Sequence, residues 1–291
     1  MTSTMLTTDR SPVPAVPAGR RPGLLTVLRW ELRKLAAQAR TRYTLLACAV
    51  APVVLVLILS SQQKAPKDSL YGRYVHASGW ALPLLILGFA AQYLFPLLTA
   101  IVAGDIFSSE DQHGTWKTVL TRSVSRSQMF WGKTLAAMDF AVLTLTVLGT
   151  STIASAALIV GRQDLIGLSG QTIPGSHALG LVVASWATAY APLLGFTALA
   201  ILLSVRSRNS SVGVVAPFVL GFVMNLVGTL GGTDLLRRFL LTTPFESWHE
   251  LLVEHPFHGP LVEGLITSAA WTALCLTAAY ALLRRRDITG G

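Results

Sequence analysis

The chain has 291 residues, of which 52% are apolar and 13% are charged, roughly half the charged share of an average soluble domain. This composition excludes an ordinary soluble domain and indicates an integral membrane protein. The net charge of +9 is explained by the membrane topology of the basic residues, so we expect no nucleic-acid partner. Cys48 and Cys275 lie in apolar segments as small packing residues, and their number provides no disulfide framework.

The N-terminal region divides into two parts. Residues 1–23 contain four prolines and few apolar residues, which predicts a disordered cytoplasmic tail without a signal peptide. In residues 24–42 a basic stripe of Arg29, Arg33 and Arg40 accompanies apolar residues at helical spacing, and Trp30 adds an interfacial anchor. We therefore expect an amphipathic helix on the inner leaflet. Its apolar stripe is Leu24, Leu28, Leu32, Leu35 and Ala39.

Windows without Asp, Glu, Lys or Arg recur along the rest of the chain, including the 31 residues between Arg73 and Asp105. A helix of about 20 residues crosses the roughly 30 Å of hydrocarbon in a bilayer, and each window is long enough for one. The sequence thus predicts an all-α membrane protein with six transmembrane helices and the N-terminal amphipathic interfacial helix. The predicted spans are 43–61, 81–103, 135–160, 179–204, 212–231 and 262–283.

The basic residues predict the orientation of these spans. With the N-terminus inside, the inner segments carry 17 of the 23 Lys and Arg residues and the outer loops carry 6. By the positive-inside rule, both termini, including the tail 284–291, are expected to be cytoplasmic. The predicted location is the cell membrane, crossed several times.

The loop before the last span predicts a further helix, residues 244–255, lying on or dipping into the outer leaflet. Its expected apolar face is Phe245, Trp248, Leu251 and Leu252. The same loop carries a group of possible metal ligands, for which a solvated helix face is the simpler interpretation: His249, Glu254, His255 and His258.

Among the polar side chains within the predicted spans, three are singled out: Gln92, Asp139 and Asn225. Polar groups in a membrane either form hydrogen bonds between helices or line a substrate path, and both interpretations stay open here. Asp139 lies near the start of span three, where it could pair with Lys133 or with a neighbouring helix. We take these three as candidate translocation-path residues.

The segment Gly132-Lys133-Thr134 looks like the end of a nucleotide-binding P-loop, but the interpretation fails. The spacing requires a glycine where Ser127 stands, and the phosphate cradle requires a preceding buried strand. The chain is therefore not expected to be an enzyme or to bind ATP.

The loop between spans two and three predicts a structured elbow. Ser108 or Ser109 is expected to cap a short helix with Glu110 in its first turn, and Gly114 to break it. A second short helix is expected from Trp116 to Arg122. Ser125 and Gln128 form a capping-box pattern at the start of the next helix. An elbow of this kind is suited to docking a partner.

These residues resemble the permease family of ABC-2 type exporters. The matching positions are Glu110, Gly114-Thr115, Leu120, Val124-Ser125-Arg126 and Gly132-Lys133, whereas Ser123 stands where the family often has proline. The resemblance implies a transport subunit that pairs with a second copy or a paralogue and is driven by separate ABC ATPase subunits. It also implies that ATP and magnesium bind to those ATPases, with no cofactor in this chain. The coupling residues implied are Glu110, Gly114, Thr115, Trp116, Lys117, Leu120 and Arg126.

Two other classes stay open: an ion-coupled secondary transporter and a membrane assembly protein without transport. An ion-coupled transporter would be expected to carry ionisable residues at mid-membrane, where only Asp139 comes near. The apolar, proline-interrupted spans favour a hydrophobic or amphiphilic cargo such as a drug, lipid or peptide. A co-purifying ATPase would separate the exporter from both alternatives.

Overall fold

The computed structural model describes residues 23–62, 69–114, 124–232 and 234–285. Within these ranges the chain is helical apart from one short hairpin, and six helices are long and apolar enough to cross a membrane, which confirms the predicted fold class. The helices are α1 (Leu24–Ala37), α2 (Ala39–Ser61), α3 (Ala81–Ala103), α4 (Ser108–Gln112), α5 (Arg126–Ile159), α6 (Gly175–Ser207), α7 (Ser210–Thr229), α8 (Asp234–Arg237) and α9 (Gly259–Arg285). The hairpin pairs β1 (Leu165–Ile166) with β2 (Thr172–Ile173).

The two predicted tails fall almost wholly outside the described residues. The third membrane helix begins at Arg126 rather than near residue 135, because the capping box forms. Ser125 Oγ accepts a hydrogen bond from the Gln128 amide at 3.1 Å, and Gln128 Oε1 accepts one from the Ser125 amide at 3.0 Å. The capping box is thus confirmed.

The N-terminal amphipathic helix α1 ends at Ala37, and Gln38, in an extended conformation, separates it from α2. The face of α1 that packs on the protein is Val27, Glu31 and Leu35. The predicted leucine stripe is offset from this face, since Leu24 and Leu32 are exposed. The helix therefore has a protein-facing side that contains a buried acid and a separate leucine side available to lipid.

Helices α3 and α6 form the centre of the bundle. In their most apolar windows 61% and 67% of residues are buried, against 17% in α2, α7 and α9. Exposed leucines and valines on those outer helices are the expected lipid-facing surface. We call the side that carries α1, α4 and the end of α9 the basic side, because it holds most of the arginines and lysines.

Prolines shape the two central helices. Pro96 lacks the amide that would bond to the carbonyl of Gln92, and a π-helical turn occupies Ala90–Leu94 directly before it. In α6 a turn at Ala189 precedes Pro192. Both irregularities lie in helices that are long and apolar enough to span a membrane, and Gln92 and Tyr93 of the π-helical turn are exposed.

On the side opposite the basic side, Thr243–Leu252 forms a 3₁₀ helix that covers the bundle. Phe245 packs against Phe95 with ring centroids 5.4 Å apart, and Trp248 packs against Tyr71 at 6.2 Å. A helix was expected over residues 244–255, on or dipping into the outer leaflet. The helix is present over Thr243–Leu252, and its apolar face is buried against protein.

Candidate functional site

Lys133 forms the centre of the candidate site. Its side chain is 1% exposed, and its amino group lies 3.0 Å from Glu31 Oε2 on α1 and 2.8 Å from Glu110 Oε1 on α4. Lys34 on α1 contacts the same oxygen of Glu110. Charges removed from water are costly unless they are paired, so these residues hold one another in place. We call Glu31, Lys34, Glu110 and Lys133 the Lys133 cluster.

The close contact of α1 with α5 brings the cluster together. A Cβ atom added to Gly132 would lie 2.6 Å from Cγ1 of Val27, so only glycine allows α1 to lie this near. On the neighbouring face, the rings of Phe107 and Phe130 pack with centroids 5.7 Å apart and hold the start of the elbow against α5. The segment that resembles part of a P-loop therefore serves packing and ion pairing.

The elbow itself is described only in its first half. Glu110 lies in the short helix α4, and Gly114 has a φ of 63°, which ends the helix as predicted. Neither Ser108 nor Ser109 caps α4, because Phe107 occupies that position and Ser108 Oγ donates to the Gly104 carbonyl. The predicted coupling residues Thr115, Trp116, Lys117 and Leu120 lie outside the described residues.

Arg126, the last predicted coupling residue, stands at the first position of α5. Its guanidinium donates to the carbonyl of Arg284, near the end of α9, at 3.1 Å. This contact joins the end of the elbow to the last membrane helix on the basic side.

Glu31 and Lys34 were not predicted as site residues, and Asp139 was expected to pair with Lys133 or with a neighbouring helix. Lys133 instead pairs with Glu31 and Glu110, and Asp139 is exposed on α5. A signal for Glu31 was present, because it stands four residues after Val27 and four before Leu35 on one helical face. An acidic residue between two apolar residues on one helical face indicates a buried partner of opposite charge.

The structure brings Gln92 and Asn225 together at one cavity of about 320 Å³, which does not include Asp139. Gln92 belongs to the π-helical turn of α3, and Asn225 lies on α7. Aromatic side chains form much of the wall, with Thr242 and Glu246 among its polar members; the aromatic members are Tyr71, Phe89, Phe245 and Trp248. A cavity that combines aromatic walls with several polar side chains is suited to an amphiphilic ligand.

Two ionisable side chains at this cavity have pKa values shifted by burial. Desolvation lowers the pKa of His249 and raises the pKa of Tyr71 above its usual range, with the neighbouring Tyr74 as a smaller cause for Tyr71. Both groups are therefore held in their neutral forms near neutral pH. His249 also lines a second cavity, of about 270 Å³, on the other side of the 3₁₀ helix, together with Arg237, Arg238 and Glu263.

The proposed metal ligands of the loop do not assemble in the described part of the chain. No group of three or more His, Cys, Asp or Glu side chains there could hold a metal ion. The ring of His249 instead lies beside that of Trp248, with centroids 4.0 Å apart and the ring planes tilted by 50°.

The bundle of six apolar helices, the buried ion pairs behind an elbow and the amphiphilic cavity define a multi-pass membrane transport protein. The model of the ABC-2 family transporter proteins matches residues 27–228, and the chain belongs to this family as a permease. The match includes α1, the described part of the elbow and both helices that carry Gln92 and Asn225.

One curated relative is a probable ABC transporter permease protein, NosY, of Pseudomonas aeruginosa. It is 29% identical over 228 residues, which cover 68% of this chain and 78% of the relative. The likeness therefore extends over most of both proteins.

Proposed function

We propose that the chain is the membrane subunit of an ATP-driven exporter, in which the Lys133 cluster transmits movement from the elbow to the membrane helices. The family implies association with ABC ATPases in general. The observation that carries the proposal is that Glu110, at the elbow, is tied through buried Lys133 to α5 and through Glu31 to α1.

The geometry favours transmission over simple anchoring. The end of α4 at Gln112 and Gly114 is exposed on the basic side, while Glu110, two residues earlier, is buried. A force applied to the exposed end would act on the carboxylate of Glu110 and, through it, on Lys133. Because charged hydrogen bonds are short and directional, displacement of one partner moves the others.

The cargo path is proposed to pass the cavity beside Gln92 and Asn225. Its aromatic walls together with its polar side chains favour a hydrophobic or amphiphilic compound, such as a drug, lipid or peptide. Asp139 is retained as a third candidate on the exposed side of α5. Because the segments assigned to the inside hold 17 of the 23 basic residues of the sequence, both termini would face the cytoplasm.

In this proposal the chain binds neither ATP nor magnesium, which belong to two separate ATPase subunits. A second permease copy or a paralogue would complete the assembly, because one copy offers one elbow. The alternative of an ion-coupled transporter would require an ionisable group on the cargo path. The candidates are Asp139, which lies away from the cavity, and Glu246 and His249, which line it.

Co-purification tests the proposal. The tagged chain, extracted from its native membranes in mild detergent, should bring down an ABC ATPase and show ATP hydrolysis that the chain purified alone lacks. Glu110→Ala should lower transport per ATP hydrolysed, and Glu254→Ala, a charge loss on the opposite side, should not. Absence of any ATPase chain, or ATP turnover by the isolated chain that is lost in Lys133→Ala, would overturn the proposal.

A further inference from the structure

Asp105, at the basic-side end of α3, is a buried acid that the Lys133 cluster does not include. Its side chain is 7% exposed and contacts the guanidinium of Arg40, at the start of α2, and the hydroxyl of Ser210, the first residue of α7. One carboxylate thus holds the basic-side ends of three membrane helices. We call Arg40, Asp105 and Ser210 the Asp105 clasp.

The backbones meet directly beside the clasp. A Cβ atom on Gly104 would run into the carbonyl oxygen of Gly213, and a Cβ atom on Gly213 would run into that of Gly104. A fourth helix joins them, because Ser204 Oγ on α6 accepts from the amides of Phe107 at 3.2 Å and Ser108 at 3.0 Å. The four helix ends therefore close tightly on the basic side.

Away from the clasp, the same two helices stay in contact as far as the cavity. Helices α3 and α7 run antiparallel, with Gly104 against Gly213 and Pro96 against Gly221, whose added Cβ would lie 2.9 Å from Pro96 Cβ. One helical turn further, Gln92 and Asn225 line the cavity of about 320 Å³. The clasp thus stands at the basic-side end of the α3–α7 contact, and the cavity lies at the other end of that contact.

We propose that the Asp105 clasp is the basic-side gate of the cavity, and that Asp105 is a positioning residue which does not touch the cargo. This inference rests on the proposed function, because it assigns the regulation of the same path. Opening the clasp would let α7 move from α3 and would connect the cavity with the cytoplasm.

A physical route leads from the elbow to this gate. Arg40 Nε donates to Gln38 Oε1 at 3.0 Å, and Gln38 is the single extended residue between α1 and α2. Helix α1 is in turn held by Glu31 to Lys133. Movement of the elbow would therefore reach Arg40 through α1. Because 34% of the Arg40 side chain is exposed, water can solvate its guanidinium when the contact with Asp105 breaks.

Cysteine accessibility tests the gate without knowledge of the cargo. Asn225→Cys is introduced after Cys48→Ala and Cys275→Ala, and the nucleotide-free protein in vesicles is exposed to a membrane-impermeant charged thiol reagent on the basic side. Asp105→Asn and Arg40→Gln are each expected to raise the labelling rate about tenfold, a size typical of coupling between sites. Exchanging the charges, with Arg40→Asp and Asp105→Arg together, should return the rate toward that of the parent.

Arg42→Gln is the matched control, because Arg42 lies on the same helix and its guanidinium bonds to the Ala36 carbonyl at 2.7 Å. It should leave the labelling rate of Asn225→Cys unchanged.

If Asn225→Cys reacts from the opposite side but neither clasp variant changes its labelling from the basic side, the assignment of the clasp as the gate is wrong, and the proposed cargo path is not contradicted. If Asn225→Cys reacts from neither side in any variant, both the proposed gate and the proposed cargo path are overturned. The proposal that the chain is an exporter subunit is tested separately, by co-purification of an ATPase. If Asp105→Asn fails to fold, the labelling rate of Arg40→Gln decides the test, because Arg40 is partly exposed.

Discussion

The amino group of Lys133 lies 2.8 Å from Oε1 of Glu110, with 1% of the lysine side chain and 6% of the glutamate side chain exposed. This pair joins the helix that enters the membrane to the elbow before it. Because both charged groups are buried, loss of either one should lower the stability of the protein as well as affect the proposed coupling between the elbow and the membrane helices.

Removal of Lys133 should destabilise the protein far more than removal of Lys34. Lys133→Met would leave Glu31 and Glu110 close together without their buried cation, a loss of about 3–5 kcal/mol. Lys34→Met removes a side chain that is 48% exposed, so its effect should be about 0–1 kcal/mol. Thermal unfolding of the two variants in the same detergent measures the difference, and equal melting temperatures would contradict it.

Gly132→Ala should destabilise the contact of α1 with α5. The added methyl group would lie 2.6 Å from Cγ1 of Val27, and overpacking of this kind costs about 1–3 kcal/mol. Combining it with Val27→Ala should restore part of the loss, because the clashing methyl groups are then absent. If Gly132→Ala melts at the temperature of the parent, α1 does not lie as close to α5 as described.

Variants of the elbow should separate ATP hydrolysis from transport. Glu110→Ala removes the tie to Lys133, and Gly114→Leu places a side chain at a φ of 63° that favours glycine. Both are expected to reach the membrane in normal amounts and to lose most ATP-driven transport. Transport and ATP turnover measured together in vesicles provide the comparison, and full transport by both variants would remove the elbow from the mechanism.

The charge distribution predicts the orientation of the loops. Ser123→Cys should react with an impermeant thiol reagent only after the cytoplasmic face is opened, and Ser176→Cys should react in intact cells. Both are made in the chain without Cys48 and Cys275. Labelling of Ser123→Cys from outside intact cells would reverse the assigned topology.

The stability of the loop opposite the basic side should depend on His249. Burial lowers the pKa of this side chain below 6.5, so below that pH the unfolded chain binds a proton that the folded protein does not. Stability should therefore fall as the pH drops from about 7.5 to 5.5, and His249→Gln should reduce that fall. His177→Gln, at an exposed position, is the control, and an unchanged pH dependence in His249→Gln would contradict the prediction.

Hydrophobicity and charge predicted the six membrane helices and the amphipathic helix. A helix that crosses a bilayer must be long and apolar, and both properties can be recognised in the sequence alone. The Lys133 cluster could not be predicted in the same way, since Glu31 and Lys133 are 102 residues apart and meet only through the packing of α1 on α5. Gln92 and Asn225 were recognised as polar residues in apolar spans, but their meeting at one cavity depends on the antiparallel register of α3 and α7. Asp139 is likewise a polar residue in an apolar span, but it does not line this cavity.

While the Asp105 clasp is closed, the backbone contact between Gly104 and Gly213 makes this point a pivot. No side chain stands between the two helices there, so α7 can tilt on α3 without unpacking any side chain at the point of contact. Asn225 lies 12 residues along α7 from Gly213, a lever of about 18 Å, and a tilt of about 10° would carry it by roughly 3 Å, the width of a water molecule. A small rotation at the glycines is thus sufficient to change what the cavity can admit.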